Sequence, residues 1–522
     1  MAKVSADEIL TQGNKRLFIQ FGGPTPNNAV KYSGKDTQYL SLTGISKPIS
    51  GGITAINVPD PNRFGRFKQI GRTRSAADMP SGSLEVMAKK GTLPFTLGDL
   101  NCPFNVYEVA GQCKTPSDWT AGWTDFVQVY SFAEATDVDM GDRTSFDGDE
   151  GEKETLSLSI DKIYAVAPIA FGVVAAAEVI HKVMDATYGT AVQCGNCGPA
   201  NDGTKRIYSV LSGAGGVSSP GLPASIVYSL DSGSTWTSQA IDGIGASEVP
   251  VQIEVVGIYL VILLATRVAT SKSVIFYAEL NSDTGAPGSF QSTSTGFVAS
   301  KYANDMYIAN AREIYFAADG GYVYKSQDIT AGVDRTLSAG DATTSNLRRI
   351  HGVESVIVAV GASGAIVKST TRGETWATTA STPLGAANGT AVQVMTSNDY
   401  HVGGDTGYMY YTLNGGATWN TTSISGSGTG EISDIIFATD EVGYVARKLS
   451  SVAYLYSTWN GGANWVSSGA PRLLSWPSFV SVQRIAIPVD SDATVGANNV
   501  IIAGLATGSV DGLLLVGKAS TL

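Results

Sequence analysis

The chain has 522 residues, of which 43% are hydrophobic, so bulk disorder is excluded because cores can be buried. Only 16% are charged and 60 are glycine, which favours short strands and turns over helical bundles. The net charge of −11 argues against a nucleic-acid reader with a basic face, and the apolar runs are too short to span a bilayer. Residues 1–10 contain no apolar h-region, so we expect no Sec-type signal peptide.

The first 200 residues show no repeat, and strand patterns dominate them. One segment with apolar residues at helical spacing, residues 175–186, predicts a helix. Together these patterns predict an α+β domain over residues 1–200. The predicted strands cover residues 15–21, 38–42, 52–58, 83–88, 104–109, 126–135 and 155–160.

Two runs of charge stand out in this part of the chain. Residues 63–74 hold five basic side chains with aromatics between them, and residues 134–154 hold nine acidic and two basic ones. Each run is typical of a solvated loop, and the basic one is also compatible with a nucleic-acid patch. Complementary contact between copies of the chain would account for both runs together. The candidate contact residues are Arg63, Arg66, Lys68, Arg72, Arg74, Asp147, Asp149 and Glu150.

The four cysteines leave three interpretations open. Cys194 and Cys197 have the spacing of a metal knuckle, and Cys102 and Cys113 could complete a zinc site, but ten residues separate that second pair. A disulfide is the second interpretation, and plain thiols in a reducing cytosol are the third. The histidines are dispersed along the chain, so we predict no metal and no cofactor.

The order of features in residues 15–185 resembles the major tail, or tail-tube, proteins of long-tailed bacteriophages. The resemblance rests on residues 102–113, residues 116–119, the acidic loop with the strand after it, and residues 53–74. It implies a β-sandwich with a flanking helix that forms a homo-oligomer of stacked, hexameric rings. DNA would meet the protein only in passing through the lumen, and the protein would lie in the virion tail after assembly in the host cytoplasm.

The second half of the chain repeats the pattern [ST]-x-[DNT]-x-G-x-[TN]-W about every 45 residues. Degenerate (worn) copies of the motif lie at residues 281–290 and 325–332. Two short predicted strands precede each copy of the motif. Repeats of 40 to 50 residues with four strands each predict a β-propeller over residues 201–522, with seven blades, six or eight being the alternatives. The defining residues are Ser229, Asp231, Gly233, Thr235 and Trp236; Ser369, Thr371, Gly373, Thr375 and Trp376; Thr412, Asn414, Gly416, Thr418 and Trp419; and Thr458, Asn460, Gly462, Asn464 and Trp465.

Each copy has the chemistry of a tight hairpin between the third and fourth strands of a blade. The polar third residue accepts bonds from turn N–H groups, the glycine allows a positive φ, and the tryptophan fills the wedge between blades. The pattern resembles the Asp-box, or BNR, repeat of sialidases, photosystem-assembly propellers and lectin-like or adhesion propellers. Thr371, Asn414 and Asn460 depart from that repeat because they replace its aspartate.

The sequence lacks features that a catalytic sialidase would require. Such an enzyme needs an arginine cluster for the substrate carboxylate, a nucleophile pair and an acid. It also carries an Arg-Ile-Pro stretch before the first box, whereas the closest likeness here is residues 484–488, in the last blade. We therefore predict a protein that is not an enzyme.

The sequence thus predicts a mostly β virion protein: a tail-tube-like assembly domain followed by a propeller that decorates the tail. Weak glycan binding by many displayed propellers would gain avidity. The alternative is an independent lectin-like or sialidase-related propeller. We also predict that a strand at residues 206–211, or just before it, closes the ring by pairing with residues 512–517, since that edge would otherwise stay open.

Overall fold

A computed structural model describes the chain as two compact units, one with the strands between Lys15 and Val166 and one with those from Ile169 onward. Up to Gly189 it describes strand backbones, together with the side chains of Ile169 and Phe171. Beyond that point the described residues are 206–211, 224–244, 248–266, 271–282, 284–379, 382–422, 424, 430–439, 441–458, 461–462, 465–467, 473–474, 476, 479–488, 499–506 and 512–519.

The first unit is an antiparallel sheet with the order β1-β6-β7-β8-β5-β2, in which β9 also pairs with β7, and β3 and β4 form a separate hairpin. Strands occur at all seven predicted places. The basic run is not entirely a loop, because its last eight residues form β4 against β3. The strands are β1 (Lys15–Phe21), β2 (Leu40–Ser46), β3 (Ile53–Pro59), β4 (Phe67–Arg74), β5 (Ser81–Met87), β6 (Phe104–Ala110), β7 (Val127–Asp139), β8 (Lys153–Ser159) and β9 (Lys162–Val166).

The second unit is a propeller of seven blades, which confirms the predicted architecture. Its first six blades are up-and-down antiparallel sheets in chain order. Blade 1 contains β11 (Val183–Gly189), β12 (Arg206–Leu211), β13 (Ser225–Ser229) and β14 (Thr237–Ala240); blade 2, β15 (Glu248–Val256), β16 (Tyr259–Thr266), β17 (Val274–Glu279) and β18 (Gln291–Thr293); blade 3, β19 (Ala303–Asn310), β20 (Glu313–Ala318), β21 (Tyr322–Ser326) and β22 (Arg335–Ala339); blade 4, β23 (Leu347–Val353), β24 (Val356–Gly361), β25 (Ile366–Ser369) and β26 (Ala377–Thr378); blade 5, β27 (Gly389–Val394), β28 (Tyr400–Gly404), β29 (Met409–Thr412) and β30 (Asn420–Thr422); blade 6, β31 (Gly430–Phe437), β32 (Gly443–Leu449), β33 (Val452–Thr458) and β34 (Val466–Ser467).

Blade 7 combines strands from distant parts of the chain. It contains β36 (Phe479–Ala486), β37 (Val500–Ala506) and β38 (Gly512–Ala519), and its fourth strand is β10 (Ile169–Val173), antiparallel to β38. The short β35 (Leu473–Leu474) adds to β10 in parallel, and one bridge between Ala453 and Phe479 links this sheet to blade 6.

Closure of the ring by an upstream strand is therefore confirmed, but the predicted strand was wrong. Residues 206–211 form β12, which is already paired on both edges, with β11 and β13, so it cannot serve β38. The predicted helix over residues 175–186 is also wrong at its end, because residues 183–186 belong to β11. Pairing with β12 outweighs the local helical spacing there. Propeller strands thus begin at Ile169, upstream of the boundary drawn near residue 200.

The core lies between blades. The middle strands are covered on both faces by neighbouring blades, and β24 is buried at all six positions, which explains its continuous apolar sequence. The fourth strands of blades 1 to 6 are short and mostly polar, and β14 and β26 are largely exposed, whereas β10 in blade 7 is apolar. Short polar edges of this kind resist pairing with other chains.

Polar side chains on the innermost strands bond successive blades to one another. The first strands are neighbours around the ring, and β11 meets β36. Each bond pairs a backbone N–H of the neighbouring inner strand, which would otherwise be buried without an acceptor. The described acceptors of the neighbour's N–H are Gln252 for Met306 (2.6 Å), Asp305 for Ile350 (2.7 Å), His351 for Val394 (3.1 Å) and Asp434 for Ile485 (2.8 Å).

Candidate functional site

The four repeat motifs form turns, here called box turns, between the third and fourth strands of blades 1, 4, 5 and 6. The hydroxyl at the first position accepts a bond from the N–H of the glycine at the fifth. The bonds are Gly233 N to Ser229 Oγ (2.7 Å), Gly373 N to Ser369 Oγ (2.8 Å), Gly416 N to Thr412 Oγ1 (2.9 Å) and Gly462 N to Thr458 Oγ1 (2.8 Å).

The third position supplies an oxygen that accepts the N–H of the seventh residue. The distances are 2.8 Å from Asp231 to Thr235, 2.9 Å from Thr371 to Thr375 and 2.8 Å from Asn414 to Thr418. The departures from aspartate are thus explained, since a carboxylate, hydroxyl or amide oxygen can each accept this bond. Asn460 and Asn464 lie outside the described residues.

Asp231 makes more bonds than its counterparts. Its carboxylate accepts from the Thr235 hydroxyl at 2.7 Å, and Thr371 and Asn414 likewise bond to the hydroxyl of their seventh residue. The bond that Asp231 adds is from the Ser234 N–H, at 3.0 Å. Bonds to the charged form, with the Thr235 N–H first among them, lower the pKa of Asp231 to about 2.

Backbone geometry explains the glycine in the motif. The fifth position has φ between 78° and 89° in all four turns, and the fourth position is left-handed too. Glycine adopts that region readily, whereas other residues are strained there. Gly415 and Gly461 occupy the fourth position in blades 5 and 6, but Ser232 (φ 60°) and Arg372 (φ 54°) occupy it in blades 1 and 4.

The four tryptophans pack against the preceding blade. Trp465 is only 4% exposed, lies in the core that blades 5 and 6 share, and meets Phe437 of its own blade edge-on, with ring centroids 6.2 Å apart. Trp236, Trp376 and Trp419 are partly buried against the cores that their blades share with blades 7, 3 and 4 respectively. The predicted inter-blade position is therefore found, although only Trp465 of the four is fully buried.

The two worn copies keep part of the pattern in the third-to-fourth-strand turns of blades 2 and 3. Asn281 accepts bonds from the N–H of Thr284 at 2.9 Å and from its hydroxyl at 3.1 Å. Asp328 does the same for Thr330, at 2.9 and 2.7 Å. Blade 7 has no such turn because its fourth strand, β10, comes from elsewhere in the chain.

A cleft of about 350 Å³ lies between the box turns of blades 4 and 5. Trp376 and the residues of β26 line one side, and residues 415–417 line the other. Lys368 lies in the cleft, and its Nζ donates to the carbonyl of Gly415 at 3.1 Å and lies 5.4 Å from the ring centre of Tyr400. Burial lowers the pKa of Lys368.

Sequence reasoning missed this lysine. The sequence signal that could have identified it is its position directly before Ser369, the first residue of a box turn. Lys325 holds the equivalent position before Ser326 in blade 3. The two differ in their surroundings, because Lys325 forms an ion pair with Glu313 at 3.0 Å. Among the described residues, no carboxylate forms an ion pair with Lys368.

Charged side chains also cross the centre of the ring. Arg484 of blade 7 forms an ion pair with Asp305 of blade 3, and Arg349 of blade 4 donates to the carbonyl of Ser433 of blade 6 at 3.4 Å. Burial raises the pKa of Asp434, although both guanidinium groups oppose that rise. Burial lowers the pKa of His351 to about 4.

Several predicted site residues are described incompletely or not at all. Lys68, Arg72 and Arg74 lie on β4. Arg63, Arg66, Asp147, Asp149, Glu150, His181 and the four cysteines lie outside the described residues. No group of metal-ligating side chains occurs in the described part of the chain. The described residues also include no helix long and apolar enough to cross a membrane.

Comparison with known proteins gives similarity in fold only. No protein-family model and no curated protein sequence matches the chain. The chain is similar to YCF48 from Cyanidioschyzon merolae (13% identity, TM-score 0.47, covering 66% of this chain and 98% of that one). It is also similar to YCF48 bound to a D1 peptide (13%, 0.46, 68% and 97%) and to U3-55K (11%, 0.44, 67% and 99%). Similarity at this level carries no information on function.

Proposed function

We propose that this protein is a structural component of a bacteriophage virion. Its N-terminal part polymerises into stacked, hexameric rings of a tail tube through which DNA passes. Its propeller decorates the tail, carries Asp-box turns and contacts host-surface glycans. The observation that carries the proposal is the division into a non-repeating antiparallel sheet and a propeller that is closed upon itself.

The closed propeller supports its role as a displayed module. Pairing of β10 with β38 satisfies the edge at which the last blade would otherwise be open. The exposed fourth strands, such as β26, are too short to template pairing with another chain. Assembly therefore falls to the first unit, whose sheet the propeller strands do not join.

The β3–β4 hairpin supports the proposed contact between rings. Lys68, Arg72 and Arg74 lie along one strand of this hairpin, so the hairpin carries fixed positive charge. We assign the acidic run around Asp147 as its complement on the neighbouring ring, because opposite charges fix the register of an interface.

The role is proposed to be non-catalytic. Arg484, which begins the stretch most like the sialidase Arg-Ile-Pro, is paired with Asp305 across the ring and is therefore committed to a structural contact. A carboxylate clamp would need that guanidinium free for substrate. Turnover of a fluorogenic sialoside above the buffer rate would contradict this assignment.

Electron microscopy of the purified full chain tests the assembly. Rings or tubes with knobs of density on the outside are expected. A variant with Lys68, Arg72 and Arg74 changed to glutamate should lose stacking, whereas Lys272→Glu, an exposed change in the propeller, should not. Single particles at all concentrations would refute the proposal and would favour an independent lectin-like propeller.

A further inference from the structure

We propose that the cleft between the box turns of blades 4 and 5 binds a carboxylate-bearing saccharide, with Lys368 contacting the carboxylate. This inference rests on the proposed function, because it gives glycan contact a place on the propeller and a chemistry. It assigns binding to the outer part of two neighbouring blades, away from the charged centre of the ring.

The first argument concerns the hydrogen-bond partners and the burial of Lys368. Its Nζ donates to the carbonyl of Gly415 at 3.1 Å and lies 3.5 Å from that of Ser397, and both acceptors are neutral. An ammonium has three donors, so one remains for a ligand. Burial disfavours its charge, and an anion in the cleft would restore the lost stabilisation.

The second argument is the contrast within the propeller. Lys325 occupies the same position before a box-like turn and has a built-in partner, the carboxylate of Glu313. In a chain of net charge −11, Lys368 is left with neutral acceptors among the described residues. We infer that its counter-charge comes from the ligand.

The third argument is the chemistry of the walls. Threonine hydroxyls along the cleft can donate to and accept from sugar hydroxyls, and the indole of Trp376 offers an apolar surface to the C–H face of a sugar ring. The volume of about 350 Å³ is at the small end of the range of about 300–1,000 Å³ for ligand pockets. The hydroxyl-bearing wall residues are Thr370, Thr375, Thr378 and Thr379, of which Thr375 also bonds to the Thr371 hydroxyl at 2.9 Å.

A peptide is the less favoured occupant. Extended peptides bind by adding a strand to an exposed sheet edge. The edge beside the cleft is β26, which spans two residues and pairs with β25 at only two positions. An edge of this length offers few backbone bonds, whereas side-chain hydroxyls are plentiful.

The test is titration of the full chain with glucuronate, galacturonate and N-acetylneuraminate, followed by calorimetry and tryptophan fluorescence. Glucose serves as the neutral counterpart of glucuronate, and acetate as a carboxylate without a ring. At least one acidic sugar should bind. Glucose should be weaker by about tenfold or more because it lacks the charged hydrogen bond, and acetate should be weaker because it lacks the ring and its hydroxyls.

Variants locate the site. Lys368→Met should weaken binding of the acidic sugar by about tenfold or more, and Lys368→Arg should retain most of it. Lys272→Met, at an exposed lysine of blade 2, is the matched control and should bind normally. Unchanged melting temperatures would show that each variant remains folded.

Several outcomes would overturn the inference. These are failure of all three acidic sugars to bind, acetate binding as tightly as the sugars, binding that survives Lys368→Met, or a peptide displacing the sugar from the cleft. Microscopy of the same samples separates the two proposals. Tubes without sugar binding refute the cleft alone, and sugar binding by single particles refutes the tail assembly alone.

Discussion

Closure of the propeller by β10 can be tested at Phe171. This side chain is 7% exposed, and its ring meets that of Trp476 edge-on at 5.3 Å. It lies in the strand that pairs with β38 from Ile169 to Val173. The change Phe171→Ala removes the ring and keeps the backbone, so it weakens the attachment of the strand without deleting it.

The expected loss follows from burial. Truncating a buried phenylalanine costs about 3–5 kcal/mol, and loss of the edge-on aromatic pair accounts for about 0.5–1.5 kcal/mol of that. We expect the free energy of unfolding of the propeller to fall by about 4 kcal/mol. Because β10 is an outer strand, its detachment should precede global unfolding and expose β38.

Hydrogen exchange followed by mass spectrometry, with denaturant unfolding of the full chain, measures both effects. Phe171→Ala should speed exchange in residues 512–519. Phe316→Ala, a fully buried control in blade 3, should lower global stability without speeding exchange there selectively. Unchanged protection of residues 512–519 in Phe171→Ala would refute closure by β10.

Three further predictions concern side chains described above. Trp465→Ala should cost about 3–5 kcal/mol and Trp376→Ala less, since only Trp465 is fully buried; equal losses in denaturant unfolding would contradict this. Arg372→Gly should raise the melting temperature and Arg372→Val lower it, because φ is 54° there; the opposite order would refute strain at this position. The unfolded chain protonates His351 near pH 6.5 and the folded one near 4, so stability should fall as the pH drops through this range. His351→Gln should flatten that part of a melting-temperature profile, and an unchanged slope would count against it.

The sequence predicted what local chemistry determines. The box turns could be recognised because their bonds join residues two to four positions apart, as from Ser229 to Gly233. Seven strands of the first unit follow from patterns within each segment, whereas β4 and β9 were not predicted. The blade count follows from the repeat, because each unit must bury its faces against its neighbours.

Pairings between distant residues could not be read in the same way. The strand β10 lies before the first repeat and carries no motif, so nothing local marks it as the partner of β38. Arg484 and Asp305 are separated by 179 residues, and only the closed ring brings them together. The surroundings of Lys368 could not be predicted either, because its partners Tyr400 and Gly415 belong to the next blade.

The use of β10 as the fourth strand of blade 7 has a consequence for biosynthesis. A ribosome makes β10 before any other propeller strand and its partner β38 after all the blades between them. Until β38 has been made, β10 lacks this pairing partner and the ring cannot close. Pairing across such a sequence distance is slow because a very long loop must close first. Chaperones that shield the unpaired β10 should therefore raise the yield of folded protein.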